Sequence, residues 1–210
     1  MSSLTVSGLS SLTHVTLNAA VQSVFVMSRI SNLNSIPEYF FTVRLAEAMS
    51  GELAKNRVIR MEFPVAELMG GAGAIQRGPV SKDLRIDGRA DITILDSMGK
   101  VPEAVVEVKR RVRYGADSTG AAKDIRRLSK AMLYGGESNR LKFAMLAFLT
   151  DATNGQMRER QQELADRLHD HHQAIDKLQQ LTISTTFSSI PIDDDGKEFA
   201  SGVTIIRRAR

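Results

Sequence analysis

Arg89-Ala90-Asp91-Ile92-Thr93-Ile94-Leu95, followed after a turn centred on Gly99 by Val105-Val106-Glu107-Val108-Lys109, is the stretch whose reading decides the fold. Both segments are short and rich in β-branched residues, and a Gly-containing turn separates them, which reads as a β-hairpin. Side chains alternate faces along a strand, so Arg89, Asp91, Thr93 and Leu95 share one face and Ala90, Ile92 and Ile94 the other. In the second segment Val105, Glu107 and Lys109 share a face. Positions 91 and 107 lie equally far from Gly99. Antiparallel pairing about that turn therefore sets Asp91, Glu107 and Lys109 side by side, with Ile92, Ile94, Val106 and Val108 on the opposite, buried face.

Two carboxylates a few ångströms apart in a half-buried patch oppose each other's ionisation, and desolvation opposes both. A divalent cation relieves the conflict. An all-oxygen ligand set suits Mg²⁺ or Mn²⁺, which bind through one or two carboxylates, keep several waters and accept a substrate phosphate. Such an ion acidifies a bound water and neutralises phosphate charge, while Lys109 can orient the attacking water or stabilise developing charge. The patch is expected to hydrolyse phosphodiester bonds, with Asp91 and Glu107 as metal ligands and Lys109 assisting the water. The plainer alternative is a pair of solvent-facing strand acids with Lys109 paired across the ladder, and the charge run Lys109-Arg110-Arg111 suits it.

Working outward, a helix is expected at about Ser35 to Lys55, a strand at Val58 to Phe63, a helix at about Ala121 to Tyr134, and an apolar strand at Leu141 to Leu149. Asp91 followed by Glu107-x-Lys109, set in this order of elements, resembles the PD-(D/E)xK (restriction-endonuclease-like) nuclease superfamily. The residue before Asp91 is Ala90 where the family name has proline. The resemblance implies an α/β fold whose core runs helix, three-stranded meander, helix, strand, with a central mixed sheet flanked by helices. It also implies a Glu from the first core helix near the metal. Glu38 lies in the sector of Phe41, Leu45, Met49 and Leu53 on that helix and is the candidate third ligand. Pro37-Glu38 reads equally well as an ordinary first turn, with proline at the first position and an acid favoured by the helix dipole.

The second core helix sets Ala121, Ile125, Leu128 and Met132 against Lys123, Arg126, Arg127, Lys130 and Tyr134. Its basic side is a candidate nucleic-acid contact, with Lys123 the best match to the side chain that the resemblance places beside the active site. A solvated face accounts for the same charges. The Gly-rich loop Met69 to Pro79 lacks the Gly-Lys-Ser/Thr ending of a nucleotide-binding loop, and Arg77 and Lys82 near it are candidate DNA contacts.

Composition fits these expectations. The chain has 210 residues, 42% of them hydrophobic, enough for a substantial core, and a formal net charge of +4 favours an anionic partner such as DNA. The absence of cysteine excludes disulfides, Cys-based zinc modules and a thiol nucleophile. No signal-peptide pattern and no apolar run of roughly 18 residues is present, so a cytoplasmic protein is expected. Residues 1–33 read as an arm packed on the domain or on a second subunit, with Val15 to Met27 equally compatible with helix or strand. Residues 34–151 form the expected nuclease core, and 152–210 supply a helix and strands completing the same domain. Leu164, Leu168, His171, Ile175 and Leu178 are spaced for packing along a helix from Met157 to Leu181, on the domain or in a homodimer. His169, His172, Asp166 and Asp176 fall on its more polar side and read as chance clustering rather than a zinc site. Two strands, Thr182 to Ile190 and Gly202 to Arg207, close the chain through an acidic turn. The alternative function is a non-catalytic nuclease-like subunit that binds nucleic acid or a protein partner for assembly.

Overall fold

The computed structural model describes residues 5–28, 33–53, 56–74, 81–112, 118–153, 155–177, 179–194 and 196–209. Its elements run α1 (Val6–Ser28), α2 (Glu38–Leu53), β1 (Val58–Pro64), α3 (Val65–Gly71), β2 (Arg89–Leu95), β3 (Pro102–Lys109), α4 (Ser118–Leu133), β4 (Phe143–Thr153), α5 (Met157–Gln173), β5 (Leu181–Asp194) and β6 (Lys197–Arg208). The described strands form one sheet in the order β1-β2-β3-β4-β6-β5. β1, β2 and β3 make an antiparallel meander, α4 carries the chain across, and β4 returns parallel to β3. β6 and β5 then extend the sheet antiparallel to β4. The architecture is α/β with a mixed sheet flanked by helices.

The β2–β3 ladder has Ile92 opposite Val106 and Thr93 opposite Val105, the register that follows from a turn centred on Gly99. Gly99 takes φ 67°, a left-handed value that favours glycine. Asp96 closes the turn, its Oδ1 accepting the N–H groups of Lys100 and Val101 at 2.8 and 3.1 Å. Ile92, Ile94, Val106 and Val108 are fully buried against α1 and α2, as the alternation requires.

The face bearing Glu107 is also covered. α3, α4 and α5 pack Leu68, Ile125, Leu128, Leu164 and Leu168 onto Val105, Leu146 and Phe148. β4 is buried on both faces from Phe143 to Thr150, which its unbroken apolar run anticipates better than strict alternation does. The residues 1–33 expected as an arm contain α1, a helix whose Leu9, Leu17, Ala20 and Val21 are buried against this same sheet. α5 likewise spends Leu164 and Leu168 on the chain's own core. It stops at Gln173, short of the expected Leu181, because Asp176 turns the chain: its carboxylate accepts the N–H groups of Gln180 and Leu181 at 2.9 and 2.6 Å. Leu178 lies outside the described residues. Among the described residues no helix is long and apolar enough to cross a membrane.

Gly202 faces Phe148 across the β4–β6 ladder, and a Cβ there would come within 2.2 Å of the Phe148 ring. Phe148 is fully buried and stacks edge-on to Phe187, so it has little room to move. Gly202→Ala is expected to destabilise the chain by about 1–3 kcal/mol through overpacking, with part of the loss recovered by adding Phe148→Leu. Thermal denaturation of the single and double variants checks this.

Candidate active site

Asp91 sits where the sheet's ladders are interrupted on both sides. The β2–β3 pairing ends at Ile92 and Val106, and beyond it Asp91 Oδ2 itself accepts the Val108 N–H at 2.7 Å. On the β1 side Glu62, between the pairs Met61–Ile92 and Phe63–Ala90, has φ 51°, uncommon for a residue with a side chain. Irregular strand geometry of this kind frees a side chain from the ladder and re-aims it.

Glu107 lies under α4, only 2% exposed. Arg127 Nη2 stands 2.6 Å from Glu107 Oε2 and 2.8 Å from Asp124 Oδ1. Lys109 Nζ, at the end of β3, lies 3.3 Å from Glu38 Oε1 and 3.4 Å from Asp124 Oδ2. Glu38 reaches this point because Arg110 ties the lead-in of α2 to the end of β3: its Nη1 donates to the carbonyls of Asn34 and Ile36 at 2.8 and 3.2 Å. The Arg110 N–H donates to Glu38 Oε2 at 2.9 Å. Both Glu38 oxygens therefore serve Lys109 and the end of β3. Asp91, Glu107, Lys109 and Glu38, four residues spread over 72 positions of sequence, meet in one cluster.

Electrostatics follow from burial and count. Burial holds the Glu107 carboxyl well above the usual carboxylate range; Arg127 pulls it down, while Asp91 and Asp124 push it further up. Burial also raises Asp124, against the pull of Lys109 and Arg127. For Lys109 burial disfavours the charge, but Asp124, Glu38, Asp91 and Glu107 together outweigh it and hold the ammonium above its ordinary value. Lys109 is thus a fixed cation, suited to stabilising negative charge rather than to accepting a proton. With every group ionised, the carboxylates of Glu38, Asp91, Glu107 and Asp124 give −4, Lys109 and Arg127 give +2, and the excess is −2.

Among the described residues no three acidic or histidine side chains converge so as to enclose a metal ion by themselves. The donor chemistry still suits Mg²⁺ or Mn²⁺: Asp91 and Glu107 offer oxygen only, the cluster holds four carboxyl groups against two cations, and one or two carboxylates completed by water and phosphate is the usual Mg²⁺ coordination.

The basic side of α4 divides differently from the expected one. Lys123 is exposed, Arg126 and Lys130 are half-buried, and Arg127 is 8% exposed because it turns inward to Glu107. Arg127 is therefore part of the acidic cluster and not of a solvent-facing basic row. Lys82 is exposed in a short 3-10 turn whose Leu84 packs in the same core as α4. Arg77 lies outside the described residues. Asp124 was not foreseen. Its only sequence signal is its place three residues before Arg127, both flanking the Ala121-Ile125-Leu128 stripe, so that a wider buried stripe takes in both.

The expected polar side of α5 also needs correction. His172 and Asp176 are buried, and Ser129 Oγ lies 2.9 Å from His172 Nδ1. Ser129–His172 is a core contact between α4 and α5, Asp176 is satisfied by the backbone N–H groups of Gln180 and Leu181, and His169 is exposed and bonds Gln173. Comparison of the chain with protein-family models, with curated proteins and with solved structures finds no match.

Proposed function

We propose that this chain is a metal-dependent nuclease of PD-(D/E)xK type that hydrolyses phosphodiester bonds in DNA. The observation that carries the reading is the meeting of Asp91, Glu107 and Lys109 at the mouth of the β2–β3 hairpin, with Glu38 and Asp124 holding the lysine. The order of elements, helix, antiparallel meander, helix and parallel strand, supports it. Asp91 and Glu107 would hold Mg²⁺ or Mn²⁺, which when bound supplies an acidified water and neutralises phosphate charge. Lys109, held as an ammonium by the carboxyl groups around it, would set a positive charge beside the negative charge that develops on the phosphate. Exposed Lys123 and Lys82 offer phosphate contacts that fix the strand without reading its sequence.

A second reading, a non-catalytic nuclease-like subunit for binding or assembly, is favoured by one observation: Arg127 already neutralises Glu107 without an ion. Calorimetric titration with Mn²⁺ separates the two. The nuclease reading expects one binding event that Asp91→Ala abolishes. Absence of Asp91-dependent binding favours the subunit.

A further inference from the structure

Arg127 holds one of the two Glu107 carboxylate oxygens. Its Nη2 lies 2.6 Å from Glu107 Oε2, so an ion would reach that oxygen only in competition with the guanidinium. The same nitrogen also contacts Asp124 Oδ1 at 2.8 Å, leaving the arginine shared between two acids. That sharing is incomplete in a revealing way. Among the described residues Arg127 Nε is buried with no hydrogen-bond partner, while Asp124 Oδ2 is ion-paired with Lys109 Nζ at 3.4 Å. Arginine and carboxylate prefer two parallel bonds, and a buried donor left unmade is costly. Arg127 and Asp124 are already in contact, one turn apart on α4. A carboxylate oxygen accepts more than one donor, so a guanidinium turned from Glu107 would be able to give Nε to Asp124 Oδ2 beside Lys109.

Resting on the nuclease reading above, we propose that Arg127 is the resident counter-ion of the metal-free site, and that a divalent cation enters by exchange: Arg127 releases Glu107 and closes a bidentate pair with Asp124. Asp124 is then a positioning residue with two duties, parking Arg127 and holding Lys109. The device keeps Glu107 from being stranded as a buried lone charge when no ion is present. It also sets the ion affinity below what the carboxylates alone would give.

Mn²⁺ calorimetry on wild type, Arg127→Gln and Lys100→Gln at moderate salt tests this. Arg127→Gln is expected to tighten Mn²⁺ binding by about tenfold, the equivalent of about 1.4 kcal/mol of removed competition. Lys100→Gln removes an exposed cation from the β2–β3 turn, at the opposite end of the hairpin from Asp91 and Lys109, and is expected to change it less than about twofold, because distance, solvent and salt screen it. An Arg127→Gln affinity unchanged or weaker overturns the exchange. Since Arg127→Gln leaves Glu107 without its cation and can impair folding, the wild type supplies a second readout. The Arg127 Nε–H resonance is expected to move downfield and exchange more slowly with water on adding Mg²⁺, as it gains Asp124; an unmoved signal contradicts the proposal. Wild type that shows no Asp91-dependent Mn²⁺ binding defeats the nuclease reading itself. Asp91-dependent binding indifferent to Arg127 defeats only the exchange.

Discussion

Lys109→Ala is expected to lower metal-dependent cleavage by about 10²–10³-fold while leaving Mn²⁺ affinity intact or slightly improved, and Asp91→Ala is expected to abolish both. The difference follows from charge. Lys109 is a cation among carboxylates, so its removal takes away stabilisation of the developing negative charge, whose loss typically costs that much. The same removal makes the cluster more negative and cannot weaken its attraction for an ion. Asp91 is a proposed ligand, so losing it removes the ion and the chemistry together. Both variants should keep the fold, since Asp91 is only half-buried and the sheet core contains neither side chain. DNA binding should also persist, because phosphate contacts elsewhere supply most of the affinity. Single-turnover cleavage and calorimetry on the same preparations check the split.

Glu107→Gln is expected to abolish cleavage and, in the absence of metal, to stabilise the protein. Burial makes ionised Glu107 unfavourable in the fold even with Arg127 beside it. Its folded pKa is raised, so the sign runs one way: below the ordinary value of 4.5 both folded and unfolded states hold the proton and nothing is lost. As pH rises above that value the unfolded chain releases the proton and the fold resists, and stability falls until the folded pKa is passed. Glutamine cannot ionise and escapes this loss. The melting temperature of Glu107→Gln in chelator should exceed wild type by about 3 °C or more at pH 8, the shift of roughly 1 kcal/mol in a chain of this size. Near pH 4.5 the difference should vanish. Adding Mg²⁺ should raise wild type and leave Glu107→Gln unmoved, since only a species that binds the ion gains from mass action. Under the proposed nuclease reading, a ligand that lowers stability fits the usual trade at active sites.

Much of this was legible in the strands. The two-residue alternation of β2 and β3 and the Gly99 turn dictated the 92–106 register, and the neighbouring helices and strands fell within a few residues of where periodicity put them. What sequence missed has common physical causes. α3 and the full length of α1 carry weak or ambiguous patterns, because Gly70-Gly71 and the Ser-rich face of α1 obscure the helical period. Asp124 and Arg127 were hidden because charge on an amphipathic helix reads as solvent-facing, and only the facing strand reveals that Glu107 draws Arg127 inward. His172 and Asp176 were hidden likewise, since each is buried through a partner, Ser129 or the turn after α5, that lies far away or has no periodic signal. Glu38 could be placed on its helix, whereas its pairing with Lys109 depends on Arg110 pinning the chain before α2.

The most direct test is cleavage of nucleic acid by wild type and Asp91→Ala, side by side, across duplex, nicked, flapped, four-way and single-stranded DNA and RNA, in Mg²⁺, Mn²⁺ and chelator. Wild type is expected to cut at least one DNA substrate in Mg²⁺ or Mn²⁺, chelator to stop it, and Asp91→Ala to be inactive throughout. No cleavage of any substrate by wild type with either ion, or equal cleavage by Asp91→Ala, contradicts the nuclease reading.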